Sequence, residues 1–480
     1  MADETSGTVL RNRLICPQAS LALVAIGYAA AQFLLLTPDM GLGHDEAVYA
    51  SQFSNNDKPA AYHASRGWGT PLLIAPVVMV TDSIVVLRGY LTVVSALLLF
   101  GAFRIWFPVR PGYTVPAAAA LFAGCWTTVL YGHAVMPNLY TAFGAVALTG
   151  LALRVALVDK PVRKADLVMT AIVAAVLPLF RPSDAMVITV SIAGAMAVLL
   201  FSSRRRAVLR GLLALSVGSA AGFGQWTLEA MSRFDNPIKR LEAATKSFGT
   251  PQWLVEHHVR ALDGPTACGT AQSACGVVPA GGVIWLMIAA LLVAVGVLAT
   301  WRSGRAVILV PLVVGCGIAV AYLYYPGMIA PRYLLPGWGL WAIPAGEGVV
   351  RLATAFQQRI RLAYAVACVC LLLGGHLYLN HGYTVLNDRF LDLSTRHVKV
   401  LAKKIRKLGF RKPCVIYGWR AVQLAHHLDC DPGASFSGLP LPPVTPKPVL
   451  AKMKAGYHVI AIYRGDSDRY VTDITSWPEY

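Results

Sequence analysis

The stretch Thr70-Pro71-Leu72-Leu73-Ile74-Ala75-Pro76-Val77-Val78-Met79-Val80 decides how this chain folds. It is apolar, yet it is only about a dozen residues long and holds Pro71 and Pro76, whereas a helix needs about 20 residues to cross a bilayer. Read as a juxtamembrane or re-entrant helix, it leaves the side of every later loop unchanged. Read as a span, it would exchange them all.

The rest of the chain chooses between these readings. Of its 480 residues 56% are hydrophobic and only 14% charged, with a mean hydropathy of +0.56, which places it among polytopic membrane proteins. Spanning-length runs lie at about Leu21 to Thr37, Ile84 to Phe103, Tyr113 to Leu130, Leu139 to Val158, Leu167 to Phe180, Ser183 to Phe201 and Ala207 to Trp226. After a loop come about Gly282 to Thr300, Ala306 to Tyr325, Tyr333 to Val350 and Leu362 to Leu379, making about 11 transmembrane helices. No small-residue cleavage site follows the first run, so it reads as a signal anchor.

Charge tests this count independently. Arg11 and Arg13 precede the first span, which puts the N-terminus in the cytoplasm. With Thr70 to Val80 not crossing, the loops expected inside carry Arg104 and Arg110; Arg154, Lys160, Arg163 and Lys164; Arg204, Arg205, Arg206 and Arg210; Arg302 and Arg305; and Arg351, Arg359 and Arg361. The short loops expected outside carry little besides Arg181 and Arg332. The alternation holds at every turn. The net charge of +18 is therefore orientation in the plasma (inner) membrane rather than a nucleic-acid surface.

Residues 1–380 then form the multi-spanning domain, with external loops at 38–83 and 227–281. Residues 381–480 form a small extracytoplasmic α/β domain. In it we expect a basic amphipathic helix (Leu393 to Leu408), a strand (Cys414 to Tyr417), a helix (Arg420 to Leu428), a Pro-rich connector (Gly438 to Pro448), another helix and a strand from Tyr457 to Tyr463. Cys268 and Cys275 in the external loop, and Cys414 and Cys430 in the tail, are disulfide candidates on the oxidising side; free thiols are the alternative. The Cys268 to Cys275 spacing matches no zinc site.

On this topology the polar residues gather at the outer ends of the spans. Gly43-His44-Asp45-Glu46-Ala47-Val48-Tyr49 follows the first span, His63 and Arg66 precede the short helix, and Arg88 lies one turn inside the second span. His133 and Asn138 flank one outer turn, Arg181 and Asp184 another, and Arg332 and Tyr333 open a late span. Charge at a bilayer is costly, so each is a site candidate, although Asp45 and Glu46 would also serve as an ordinary first helical turn and Arg181 or Arg332 could simply snorkel to headgroups. Trp68, Trp338 and Trp341 read as interface anchors before sugar platforms. Together, a carboxylate suited to general-base work and arginines suited to holding a phosphate describe transfer from a lipid phosphate.

These residues resemble a known family. His44-Asp45-Glu46-Ala47-Val48-Tyr49-Ala50, Gly69-Thr70-Pro71-Leu72, Leu87-Arg88 and Pro331-Arg332-Tyr333-Leu334-Leu335-Pro336 are similar to the GT-C glycosyltransferases that use polyprenyl-phosphate-linked sugars, the group of the protein O-mannosyltransferases and the aminoarabinose transferases. The resemblance implies a GT-C-like, all-α membrane domain and sugar transfer, mannosyl- or arabinosyl-like, with inversion, from a polyprenyl-phosphate-linked donor to an envelope glycan or lipid at the outer face. Asp45 would deprotonate the acceptor, with Glu46 positioning it or supporting a divalent cation (Mg or Mn). Arg332, then Arg88 and Arg181, would hold the donor phosphate, with Lys239, Arg240 and Lys246 as lesser helpers. His44, Tyr49, His63, Arg66, His133, Asn138, Asp184 and Tyr333 would line the substrate site. Where many members carry an acid between the third and fourth spans, this chain has Pro137-Asn138, which argues against a metal bridging two loops. The alternative function is a membrane transporter or lipid flippase, which would favour midplane sites and paired halves that the sequence does not display.

Overall fold

The computed structural model describes residues 16–55, 58–158, 161–245, 252–268, 276–302, 304–324, 329–359, 362–418, 420–435 and 446–462. In chain order the membrane part comprises α1 (Pro17–Leu35), α2 (His44–Ala50), α3 (Gly69–Val78), α4 (Ile84–Arg104), α5 (Thr114–Ala123), α6 (Trp126–Gly132), α7 (Pro137–Leu157), α8 (Lys164–Phe180), α9 (Pro182–Leu199), α10 (Arg205–Arg233), α11 (Pro237–Thr245), α12 (Val255–Arg260), α13 (Ala280–Thr300), α14 (Arg305–Leu323), a 3₁₀ turn (Pro331–Leu334), α15 (Leu335–Arg359) and α16 (Leu362–Lys407). The tail adds β1 (Cys414–Gly418), α17 (Ala421–Leu428), β2 (Asp431–Ser435), α18 (Pro446–Lys454) and β3 (His458–Ile462). Seven of the described helices are long and apolar enough to cross a membrane, eight if α5 and α6 count as one bent span. The remaining three expected spans are also helical, as α8, α15 and the first half of α16.

The centre of the bundle is α7. It is apolar on all sides, and 89% of its best spanning window is buried, the burial expected of a helix without a polar face. Helices α4, α8, α9, α10 and α15 pack around it. The short helix α3 packs on α4 and α8, as its length required. Its docking depends on glycine: a Cβ on Gly67, just before α3, would lie 2.2 Å from the Leu179 carbonyl oxygen, and one on Gly69 would lie 2.8 Å from the Phe180 ring.

Two expected elements differ. The run Tyr113 to Leu130 is not one straight span but the pair α5 and α6, bent by 74°. Gly124 at the break lies against His376, and the Asn380 Oδ1 accepts from the Trp126 backbone N–H at 2.9 Å. Side chains of α16 thus occupy the kink and satisfy the backbone that it frees, which bilayer burial requires. The second difference is in the tail. The helix expected over Leu393 to Leu408 is the continuation of α16, so the 380/381 boundary falls inside one 46-residue helix. No proline interrupts it, and Asp388 accepts from the Thr37 backbone and hydroxyl while Lys399 bonds to Asp39, fixing the junction to the chain leaving α1.

The tail sheet is parallel throughout, in the order β2-β1-β3, so the sequence reading missed β2. Its Asp-Pro-Gly-Ala-Ser carries neither alternation nor β-branched residues. Val398, Ala402 and Ile405 of α16 pack with Cys414, Ile416 and Leu424 in a core of its own. Cys414 and Cys430 form a disulfide, joining β1 to the start of β2. Cys268 is also disulfide-bonded; Cys275 lies outside the described residues, as does Lys246.

Candidate active site

The acid pair sits on α2, whose start follows local rules: Gly43 is its N-cap, and the Glu46 Oε2 accepts from the Gly43 backbone N–H at 2.8 Å, closing one side of a capping box. One residue apart on a helix, the two carboxylates point about 100° away from each other. Their surroundings differ accordingly.

Glu46 faces inward and is fully engaged. The Arg88 guanidinium donates to both of its oxygens, at 2.5 and 2.9 Å, and the Val135 backbone N–H donates at 2.8 Å. Arg88 also donates to the carbonyl oxygens of His133 (2.9 Å), Gly41 (3.3 Å) and Met40 (3.4 Å). Buried at 2% exposure, Arg88 ties α2, α4 and the turn after α6 into one unit and has little left to offer a phosphate.

Asp45 is turned away from that pair, with its side chain 36% exposed. Arg66 Nη2 donates to it at 2.7 Å, and Arg332 Nη2 lies 3.8 Å from its other oxygen. Burial alone would push its carboxyl up, but the guanidinium groups of Arg66 and Arg332 outweigh that and hold it at about 2. The Arg66 guanidinium also stacks over Tyr49, 5.1 Å from the ring centre. Arg332 Nη1 donates to the Thr266 carbonyl oxygen at 3.2 Å and reaches the Tyr131 hydroxyl at 3.4 Å, while its Nε is buried without a partner.

A band of cations and rings continues from there. Tyr333 lies under both Arg332 (5.1 Å) and Arg181 (5.0 Å) and stacks on Tyr322. Arg181 is held by Asp184 at 2.9 Å and the Tyr322 hydroxyl at 2.6 Å. On the other side of Asp45, Tyr49 meets Tyr62 edge-on and Tyr62 stacks on Trp68 at 5.1 Å. Trp68 donates to Glu229, which also binds the buried Arg240. Arg240 donates to the Ala64 and Arg66 carbonyl oxygens, making it a strut for the loop that presents Arg66. Lys239 is exposed and paired with Asp235.

The remaining candidates separate by position. His133 and Asn138 lie behind the acid pair, 2% and 0% exposed, and the His133 Nε2 and both Asn138 amide atoms have no protein partner. His63 stands in the loop between α2 and α3, its Nδ1 2.9 Å from the Ser65 hydroxyl, and burial with the nearby Arg66 pushes it below the ordinary histidine range. His44 is brought down to about 4 by burial and by Arg66 and Arg420, against the pull of Asp45. Reading from sequence missed Tyr131, Tyr322 and Glu229. Tyr131 lies two residues before His133, and Glu229 is an acid near the end of a span, the signal applied elsewhere.

The tail reaches this site, because α17 packs on α2. With its carboxamide oriented to satisfy both neighbours, Gln423 Oε1 accepts from Arg420 at 2.9 Å and from the His44 backbone N–H at 3.3 Å. A buried side chain of the tail thereby takes up one of the unpaired N–H groups at the start of the acid-pair helix. Gln423→Ala should speed amide exchange at His44 several-fold by mass-spectrometric hydrogen exchange; unchanged exchange would remove this contact from the account.

The residues do not fit a divalent cation. Both Glu46 oxygens are taken by N–H donors, Asp45 stands between two guanidinium groups, and no group of three His, Cys, Asp or Glu side chains converges among the described residues.

No protein-family model and no curated protein matches the chain. Solved structures do. The structure of ArnT from Cupriavidus metallidurans bound to undecaprenyl phosphate aligns with a TM-score of 0.59 at 15% identity, covering 92% of this chain and 89% of that one. The Archaeoglobus fulgidus oligosaccharyltransferase tethered with an acceptor peptide containing the NVT sequon aligns with a TM-score of 0.56 at 11% identity, covering 88% of this chain. The same organism's AglB, in complex with an inhibitory peptide and a dolichol-phosphate, aligns with a TM-score of 0.55 at 11% identity. The chain spans 64% and 66% of the length of those two oligosaccharyltransferase structures.

Proposed function

We propose that this chain, a polytopic membrane protein with the GT-C fold, transfers a sugar from a polyprenyl-phosphate donor to an envelope glycan or lipid, with Asp45 as the base. The observation that carries the reading is Asp45 itself: a partly exposed carboxylate, 2.7 Å from Arg66 and 3.8 Å from Arg332, on the helix after the first span. The lipid phosphates bound in the ArnT and AglB structures support the donor class. The site would face outward, with the N-terminus in the cytoplasm, as the loop charges require.

In the reaction the acceptor oxygen attacks the anomeric carbon as its bond to the phosphate oxygen breaks. Asp45 takes the hydroxyl proton, and the lipid phosphate departs with the bond's electron pair onto Arg332. Inversion follows from a single displacement. Glu46 acts by holding α2 against Arg88, so the two acids divide the work into positioning and proton transfer.

A carboxyl held at about 2 is ionised at every working pH but is a weak base. A bound donor phosphate corrects this by drawing Arg332 away from Asp45, which removes one of the two cations that depress it. The acid limb of transfer at saturating donor should therefore lie well above pH 2, toward the ordinary carboxylate range. Arg332→Ala should weaken donor binding about 10- to 100-fold, the value of one or two charge-assisted hydrogen bonds, and leave acceptor KM nearly unchanged. An unchanged donor affinity would remove Arg332 from the phosphate.

The direct test of the function is incubation of purified protein with labelled polyprenyl-phosphate sugars and envelope extracts. Label moving into an acceptor supports the reading. Label remaining on the lipid with every donor and acceptor contradicts it.

A further inference from the structure

The short helix α3 has a consequence for the far side of the bundle. At ten residues it is about 15 Å long, half the thickness of a bilayer's hydrocarbon core. It packs on α4 and α8 only at the acid-pair end, where Gly67 and Gly69 meet Leu179 and Phe180. Beyond it none of the described residues fills the space between these two spans, and a cavity of about 730 Å³ opens there with α7 as its floor.

The cavity wall is apolar, formed by Leu98 of α4 and Ile105 just after it, Phe143 and Ala147 of α7, and Ile172 and Val176 of α8. Tyr140 and Phe180, stacked at 5.6 Å, close it toward α3 and the acid pair. Its other end is flanked by Arg104, Arg154 and Arg163. Along α7 the distance from Tyr140 to Arg154 is about 21 Å, enough for an acyl chain entering from one leaflet. Arg154 is neutralised by Asp166 at 2.9 Å, whereas Arg104 and Arg163 are exposed and have no ion pair among the described residues. Arg104 lies about 24 Å along α4 from Arg88 and therefore at the opposite face from Glu46.

We infer that this groove is a binding site for an anionic phospholipid of the leaflet opposite the acid pair, its acyl chain under α3 and its phosphate on Arg104 and Arg163. An apolar slot open to a bilayer fills with hydrocarbon rather than water. Two uncompensated guanidinium forks at its mouth select a phosphate whose headgroup brings no balancing cation. The aromatic roof separates this lipid from a donor whose phosphate sits at Arg332. The lipid would brace α4 and α8 where α3 cannot.

Native mass spectrometry of the full chain, reconstituted in vesicles of equal phosphatidylglycerol and phosphatidylcholine and then stripped in mild detergent, tests this. The wild type should retain one phosphatidylglycerol with at least fivefold preference. Arg104→Gln with Arg163→Gln, both exposed changes, should bring the two lipids to parity. Gly101→Leu, whose side chain would enter open space within the groove, should reduce retention of both severalfold. Equal retention of the two lipids by the wild type would overturn the site. So would a preference that survives the double arginine change, or displacement of the retained lipid, mole for mole, by added polyprenyl phosphate.

Discussion

Asp45→Asn should lower the rate of sugar transfer by about 10² to 10⁴ while the protein folds and binds its donor lipid as before. The amide keeps the shape of the carboxylate and loses its capacity to take a proton. Because the charge opposing Arg66 and Arg332 is also removed, donor affinity should hold or rise as kcat falls. That split distinguishes a base from a residue that merely shapes the pocket, for which kcat and KM would deteriorate together. Labelled-donor turnover and donor binding measured on the same preparation check it. Transfer at the wild-type rate would exclude Asp45 as the base.

The adjacent acid should respond in the opposite way. Glu46→Gln or Arg88→Met breaks a buried pair in which three backbone carbonyls and two backbone N–H groups also take part. Removing one partner of such a pair costs about 3–5 kcal/mol, since the other is left charged in an apolar interior. The loss should appear as a lower unfolding midpoint in detergent. The double variant Glu46→Leu with Arg88→Met should be less damaging than the sum of the singles, because neither charge then remains unpaired. Strictly additive losses would show that the two residues act separately. Equal stability of Glu46→Gln and wild type would return Glu46 to consideration as a reacting group.

The contrast between these neighbours explains how far the sequence could be read. Hydropathy placed helix at each of the eleven expected spans, because bilayer thickness fixes span length, whereas the short α11 and α12 gave no such signal. Periodicity has no term for a break held by a distant side chain, so the bend between α5 and α6 at Gly124 was invisible until Asn380 was seen in it. The same applies to α16: polar residues from Asn380 to Asp392 end the apolar run, but nothing there breaks the helix, and it runs on.

At the site the sequence named residues that the structure brings together, Asp45 with Arg66 and Arg332 and Glu46 with Arg88, but did not rank them. Asp45 and Glu46 are equal as letters; rotation about one helix leaves one partly exposed beside Arg66 and gives the other to Arg88. The three arginines were likewise equal. Structure distinguishes them by their partners: Arg88 is spent on Glu46, Arg181 on Asp184 and Tyr322, and Arg332 alone of the three is left with only a long 3.8 Å approach to a carboxylate, Asp45. Partners that arrive from elsewhere in the chain, such as Gln423 from the tail, carry no local signal, and that of Glu229, an acid near the end of α10, does not say what it meets.

A density map of the protein with a polyprenyl phosphate bound tests the central claim most directly, because it asks where the phosphate lies relative to Asp45. The account predicts the phosphate on Arg332, with the Arg332 to Asp45 separation lengthened beyond 3.8 Å and Asp45 still partly exposed. A phosphate lodged away from Arg332, with Asp45 still bridged to both arginines, would contradict it.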